Sequence, residues 1–117
     1  MKGPWLVRLV EAADLDYIDI IRRSVRDFGA MQAEIYAETL DSAIDALGED
    51  GTETIGVKAR EEIGPGIFTL HVARFGRKAS HFLVFQVDGS IIDILRILHD
   101  RMDLVRHISL PDESPRH

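Results

Sequence analysis

Residues 67–98, IFTLHVARFGRKASHFLVFQVDGSIIDILRIL, decide the fold. Three runs rich in Val, Ile, Leu and Phe, namely IFTLHVARF (67–75), SHFLVFQV (80–87) and SIIDILRIL (90–98), are separated by GRK and DG. Branched and aromatic side chains pack well on a pleated surface, so these runs read as strands. Asp-Gly supplies the positive φ that a tight hairpin turn requires. The stretch therefore predicts a three-stranded antiparallel meander.

Working back from the meander, PWLVRLVEAA (4–13) reads as a first strand with Trp5, Val7 and Leu9 on one face, able to join the sheet edge. Asp14 stands where an N-cap would stand, and Asp16 favours a first helical turn through the helix dipole. Leu15, Ile18, Ile21 (or the stem of Arg22), Val25 and Phe28 then recur at helical spacing and predict the buried face of a helix that stops at Gly29. A second helix follows, with apolar positions Ala33, Tyr36, Leu40, Ala43, Ile44 and Leu47 and an expected end at Gly48. Glu34, Glu38, Asp41 and Asp45 form its solvated outer stripe, or else a docking strip for a basic partner. The short Phe28-Gly29-Ala30 link makes the pair an antiparallel hairpin. Residues 48–66, GEDGTETIGVKAREEIGPG, read as a surface loop with at most a short strand.

The expected fold class is thus α+β, in the order β-α-α-β-β-β, with a helical hairpin packed on one face of an antiparallel sheet. One domain over residues 1–110 and a frayed tail over 111–117, PDESPRH, complete the expectation.

Composition narrows the function classes. With 117 residues, 45% of them hydrophobic and 29% charged, the chain can bury a core without covalent staples. It has no cysteine, which excludes disulfides, thiolate zinc sites and cysteine nucleophiles. A net charge of −6 argues against a general nucleic-acid binder. Its distribution is uneven: residues 1–60 hold 7 Lys/Arg against 12 Asp/Glu, whereas residues 64–110 hold 6 against 4 and four of the five histidines. An anionic or acidic target should meet the second half. The longest apolar run is broken by Asp93 and Arg96, far short of the roughly 20 residues of a membrane span. Arg8 and Glu11 interrupt the N-terminal stretch too early for a signal peptide, so the expected location is the cytoplasm.

Few motifs carry chemistry. IGPGI (63–67) has neither the spacing of a phosphate loop nor a helix after it, and reads as a turn that launches a strand. His71, His81 and His99 fall on neighbouring strands near Asp100 and Asp103, but without paired metal-ligand spacing, so no metal or other cofactor is expected. His71, Arg74, Arg96 and His99 are the residue types that a metal-free ribonuclease would use for proton transfer and phosphate charge. The competing reading makes them salt-bridge partners on a polar sheet face. On the last strand, Leu95 and Ile97 should face the core and Arg96 the opposite side. Beyond it, HDRMDLVRH (99–107) should pack back through a buried Met102 and present Arg101 and Arg106 outward as a contact surface.

FGAMQAEIYAETLDSAIDAL, REEIGPGIFTLHVAR, GRKASHFLVFQV and IIDILRILHDRMDLVRHI together resemble the RelE/ParE superfamily of toxins from bacterial type II toxin–antitoxin systems, and specifically its ParE-like branch. The resemblance covers nearly all of residues 5–108, and the last passage is the most specific. It implies a small toxin neutralised by a cognate antitoxin, often a ParD-like protein with a ribbon-helix-helix domain, in a hetero-oligomer that meets DNA only through the antitoxin. RelE-like members are ribosome-dependent mRNA endonucleases (mRNA interferases), whereas ParE-like members poison DNA gyrase. Tyr17 and Tyr36 both fall in the helices, leaving no C-terminal tyrosine to stack on a base, and the acidic balance is ill-suited to an RNA-walled site. Both features favour the gyrase branch, with no catalytic residue expected and Arg96, His99, Arg101, Met102 and Arg106 as target contacts. Were the chain a ribonuclease, Arg74, Arg96 and His99 would carry the reaction.

Overall fold

The computed structural model describes residues 5–73 and 76–102. The expectations placed on Arg74, Arg106 and the 110/111 boundary lie outside the described residues.

The three predicted strands form as β3 (Ile67–His71), β4 (His81–Asp88) and β5 (Ile91–His99), paired antiparallel in sequence order. The Asp88-Gly89 turn has φ 63° at Gly89, the conformation for which glycine is suited. The first strand, β1 (Leu6–Leu9), joins the far side of β5, and it does so in parallel: Leu6 pairs with Ile91 and Leu9 with Ile94. A two-residue strand, β2 (Lys58–Ala59), adds to the free edge of β3. The sheet is therefore mixed, in the order β1-β5-β4-β3-β2, and the α+β class is the expected one.

Two helices, α1 (Glu11–Phe28) and α2 (Ala30–Asp50), form the hairpin, and Gly29 at φ 93° makes the turn between them. The apolar face expected for α2 is the one it buries: Ala33, Leu40, Ala43 and Leu47 pack inward. For α1 the expectation holds only at Ile21. Leu15, Ile18, Val25 and Phe28 are exposed, and the buried positions are Ala13 and Ile20, flanked by Tyr17 and Ile21. Space explains the reversal, because a completely buried Ala13 lets the helix lie close to the sheet.

Two helix boundaries differ as well. The first helix starts at Glu11 straight out of β1, with Val10 as the flanking residue and Asp14 already inside the first turn, its N–H bonded to the Val10 carbonyl. Helix α2 runs through Gly48, which faces Val7 of β1, to Asp50. It ends at Gly51, where φ is 57° and any Cβ would collide with the Trp5 indole.

The main core lies between hairpin and sheet, with Leu40, Leu47, Leu70, Leu83, Phe85, Ile92 and Ile94 at its centre. A second cluster, Ile67, Val84, Leu95 and Leu98, is separate from it. A bulge divides β5: Ile94 pairs with Phe85, Arg96 with Val84, and Leu95 is the extra residue. Leu95 and Ile97 are both buried, but Ile97 joins the main core and Leu95 the second cluster. Plain alternation could not anticipate that split. No helix among the described residues is long and apolar enough to cross a membrane.

Candidate functional site

Strand β5 is nine residues long, yet β1 covers only Ile91–Ile94. The N–H groups beyond Ile94 need another acceptor, since an unpaired backbone donor is costly. Asp16, one turn into α1, supplies it. Its carboxylate accepts the Ile97 N–H at 2.9 Å and the Arg96 guanidinium through Nε at 2.7 Å and Nη2 at 3.0 Å. This fork fixes α1 to the strand where β1 stops. The bond to Asp16 raises the Arg96 pKa above its ordinary value.

Histidines gather past this clamp. His81 and His99 are paired across β4 and β5, with ring centroids 5.2 Å apart in edge contact. Tyr36 of α2 reaches them: its hydroxyl lies 2.7 Å from His81 Nδ1 and accepts the Ser80 N–H at 2.9 Å. Burial, and then the neighbouring His99, push the His81 pKa down to about 4, so the ring is neutral at pH 7. Burial raises the Tyr36 pKa. A neutral imidazole accepting at Nδ1 and a phenol donating to it form one consistent arrangement. His71 Nε2 lies 3.1 Å from Asp100 Oδ2, and that hydrogen bond holds the Asp100 carboxyl below its usual range. His99 Nδ1 accepts the Arg101 N–H at 3.1 Å and lies 3.4 Å from Asp100.

Clamp and histidines border a groove of about 810 Å³ between α1, the start of α2 and the ends of β4 and β5. Asp16, Arg23 and Phe28 wall one side; Lys78, His81, Arg96, His99 and Met102 wall the other. Charges of both signs are present, so the groove is amphipathic and no simple anion cradle. Among the described residues no group of three His, Asp or Glu is placed to hold a metal ion.

Of the predicted contacts, Arg96, His99 and Met102 converge on this groove, and Arg101 is exposed beside it. Met102 was expected to be buried and is 43% exposed at the rim, because the chain turns away after His99 through a Met102 N–H bond to the His99 carbonyl. Asp16, Tyr36 and Lys78 were not anticipated as parts of the site. Their signal is three-dimensional, since Asp16 meets Arg96 across 80 residues and Tyr36 meets His81 across 45.

Residues 7–104 match the family model described as ParE toxin of type II toxin-antitoxin system, parDE. The chain is 38% identical over 82 residues to Toxin ParE1 of two Mycobacterium tuberculosis strains, spanning 69% of this chain and 74% of the relative. Its fold is shared with a chain of the chromosomal ParDE system from P. aeruginosa, at TM-score 0.65 and 23% identity over 81% of this chain and 95% of that one. A chain of the M. tuberculosis RelBE2 toxin–antitoxin complex superposes at TM-score 0.53 and 22% identity, covering 82% and 98%. One from the Staphylococcus aureus YoeB–YefM complex does so at 0.52 and 16%, covering 80% and 93%.

Proposed function

Because the chain belongs to the ParE toxin family of type II toxin–antitoxin systems, we propose that it is a cytoplasmic, growth-inhibiting toxin that binds and blocks DNA gyrase and is neutralised by a cognate antitoxin. The antitoxin of this reading is a ribbon-helix-helix, ParD-like protein, and DNA is met only through it in the hetero-oligomer. The observation that carries the reading is the state of Arg96. A guanidinium that is to hold a phosphate must present its donor fork to the substrate, and Arg96 commits Nε and Nη2 to Asp16. The most promising phosphate ligand in the sequence thus serves to fix α1 on β5. Target contact falls to the groove mouth, where His99, Arg101 and Met102 lie together, with Arg106 beyond the described residues. An amphipathic antitoxin segment suits the same groove, with apolar anchors against Phe28 and Met102 and acidic groups toward Lys78.

One observation favours a second reading, an mRNA endoribonuclease of the RelE type. Tyr36, although on a helix, brings its hydroxyl to His81 beside His99, and a phenol–imidazole pair in a groove is general acid–base equipment. The two readings part on expression without antitoxin. Gyrase inhibition gives filamentation and a DNA-damage response while translation continues at first; immediate translational arrest with cleaved mRNA would replace the first reading by the second. Reversing Arg101 and Arg106 together to Glu is expected to abolish toxicity and leave the melting temperature nearly unchanged.

A further inference from the structure

Three imidazoles near the end of β5 use the same ring nitrogen as an acceptor. His71 Nδ1 accepts the Ala73 N–H at 3.0 Å, and His99 Nδ1 accepts the Arg101 N–H at 3.1 Å. A backbone N–H can only donate, so neither Nδ1 carries a proton. The Tyr36 hydroxyl already accepts the Ser80 N–H, and among the described residues its own proton has no acceptor except His81 Nδ1. Each ring therefore holds its proton on Nε2. His71 donates that proton to Asp100. His81 and His99 both line the groove, and among the described residues neither Nε2–H has an acceptor. Asp100 does not serve His99 there, because it lies on the Nδ1 side of that ring at 3.4 Å. Lys78, on the same wall, is also without a partner among the described residues. The other formal charges of the groove are matched: Asp16 with Arg96, Asp19 with Arg23, and Asp27 with Arg26. One end of the groove thus offers donors and one unbalanced positive charge.

We propose that His81, His99 and Lys78 form a carboxylate-binding subsite, whose ligand is an Asp or Glu side chain carried by an apolar stretch of the antitoxin. The assignment rests on the groove being the antitoxin's seat. A carboxylate is acceptor-only and has lone pairs enough for two ring N–H groups and an ammonium together. Its single charge balances Lys78, the groove's one unmatched charge among the described residues. The apolar neighbours of such a side chain find Phe28, Leu98 and Met102 on the groove walls. A nucleic-acid strand suits the site less well. It carries a charge on every phosphate, and these would lie along Asp16, Asp19 and Asp27 of the same groove. Burial keeps His81 neutral at pH 7, so its contribution is a directed hydrogen bond, while Lys78 supplies the salt-sensitive attraction.

Long-range proton–nitrogen NMR of the full chain tests the proposal in two steps. Without ligand at neutral pH, His71, His81 and His99 should all show the Nε2–H tautomer. The peptide acetyl-Leu-Glu-Leu-amide should then shift the ring nitrogens of His81 and His99 saturably, and bind about tenfold more tightly than its Gln counterpart. Lys78→Gln and His99→Phe should each weaken the Glu peptide about tenfold, and the exposed Lys78→Gln should keep the wild-type melting temperature. A proton on Nδ1 of His81 or His99 overturns the proposal, as does equal binding of the Glu and Gln peptides. It is also overturned if dimethyl phosphate shifts the same nitrogens at lower concentration than the Glu peptide, which would assign the site to a nucleic-acid backbone. The measurement uses neither antitoxin nor toxicity, so its failure leaves the gyrase reading standing. Conversely, cleaved mRNA on expression would remove that reading without altering the tautomers or the carboxylate preference.

Discussion

Asp16 does two things with one carboxylate, ending the unpaired run of β5 and holding Arg96. Its side chain is 17% exposed and that of Arg96 31%, so solvent screens the pair only in part. Asp16→Ala strands a backbone donor and a guanidinium together, and should lower unfolding free energy by about 2 to 3 kcal/mol in urea titrations. Asp16→Asn keeps an acceptor for Ile97 and should lose about half as much. His81 predicts a pH effect. Its folded pKa of about 4 lies below the unfolded 6.5, so between these values the unfolded chain binds the extra proton and stability falls as pH falls. Burial is the largest cause of this shift, His99 and His71 add to it, and Asp100 and Asp16 oppose it. Allowing for the ring's partial exposure, the loss from pH 7 to 4 should be about 1 to 2 kcal/mol. Tyr36→Phe removes the donor that favours the neutral ring, so the His81 titration followed by NMR should move upward in pH.

At the scale of elements, α2 was legible and α1 was not, for the same physical reason. Periodicity finds a buried face only when that face carries the larger apolar residues. In α2 the inward positions include Leu40 and Leu47, whereas in α1 the large residues Leu15, Ile18 and Val25 face out and Ala13 faces in. The three strands and the Asp88-Gly89 turn could be read directly, but the Leu95 bulge could not, since an unbroken apolar run does not record which residue is the extra one. The site was legible in halves. Arg96, His99 and the adjacent Asp100 could be placed from the strand pattern, while Asp16 and Tyr36 required the fold. The end of α2 permits a sharp test. Gly51 combines positive φ with contact against Trp5, so Gly51→Ala should cost about 2 to 4 kcal/mol in thermal or urea unfolding, well above an ordinary surface change.

For the whole molecule, the division of charge seen in the sequence becomes a division of surface. Helix α2 carries Glu34, Glu38, Asp41, Asp45, Glu49 and Asp50 with no base, while Lys78, Arg96 and Arg101 gather at the groove end. Tyr17 secures part of the acidic side by donating to Asp41 at 2.8 Å, and burial together with that bond raises its pKa to about 12. An association through the groove mouth that depends on these cations should weaken with salt, whereas one resting on Phe28 and Met102 should not. Titrating a captured partner between about 50 and 500 mM NaCl separates the two contributions, the expected result being a moderate loss that levels off as screening saturates.

The parallel pairing of β1 with β5 bears on when the protein first exists. Leu6 is made 85 residues before its partner Ile91, and among the described elements both helices and β2 to β4 are made in between. The Arg8–Asp93 and Asp16–Arg96 ion pairs wait for the same strand. Until β5 emerges, a nascent chain has its helical hairpin and β3–β4 but no central strand to join β1 to them, and contacts so distant in sequence close late. Translation itself therefore withholds the groove, whose Arg96 and His99 wall belongs to β5. A chain stopped at Gly89 should be unfolded by circular dichroism and harmless on expression.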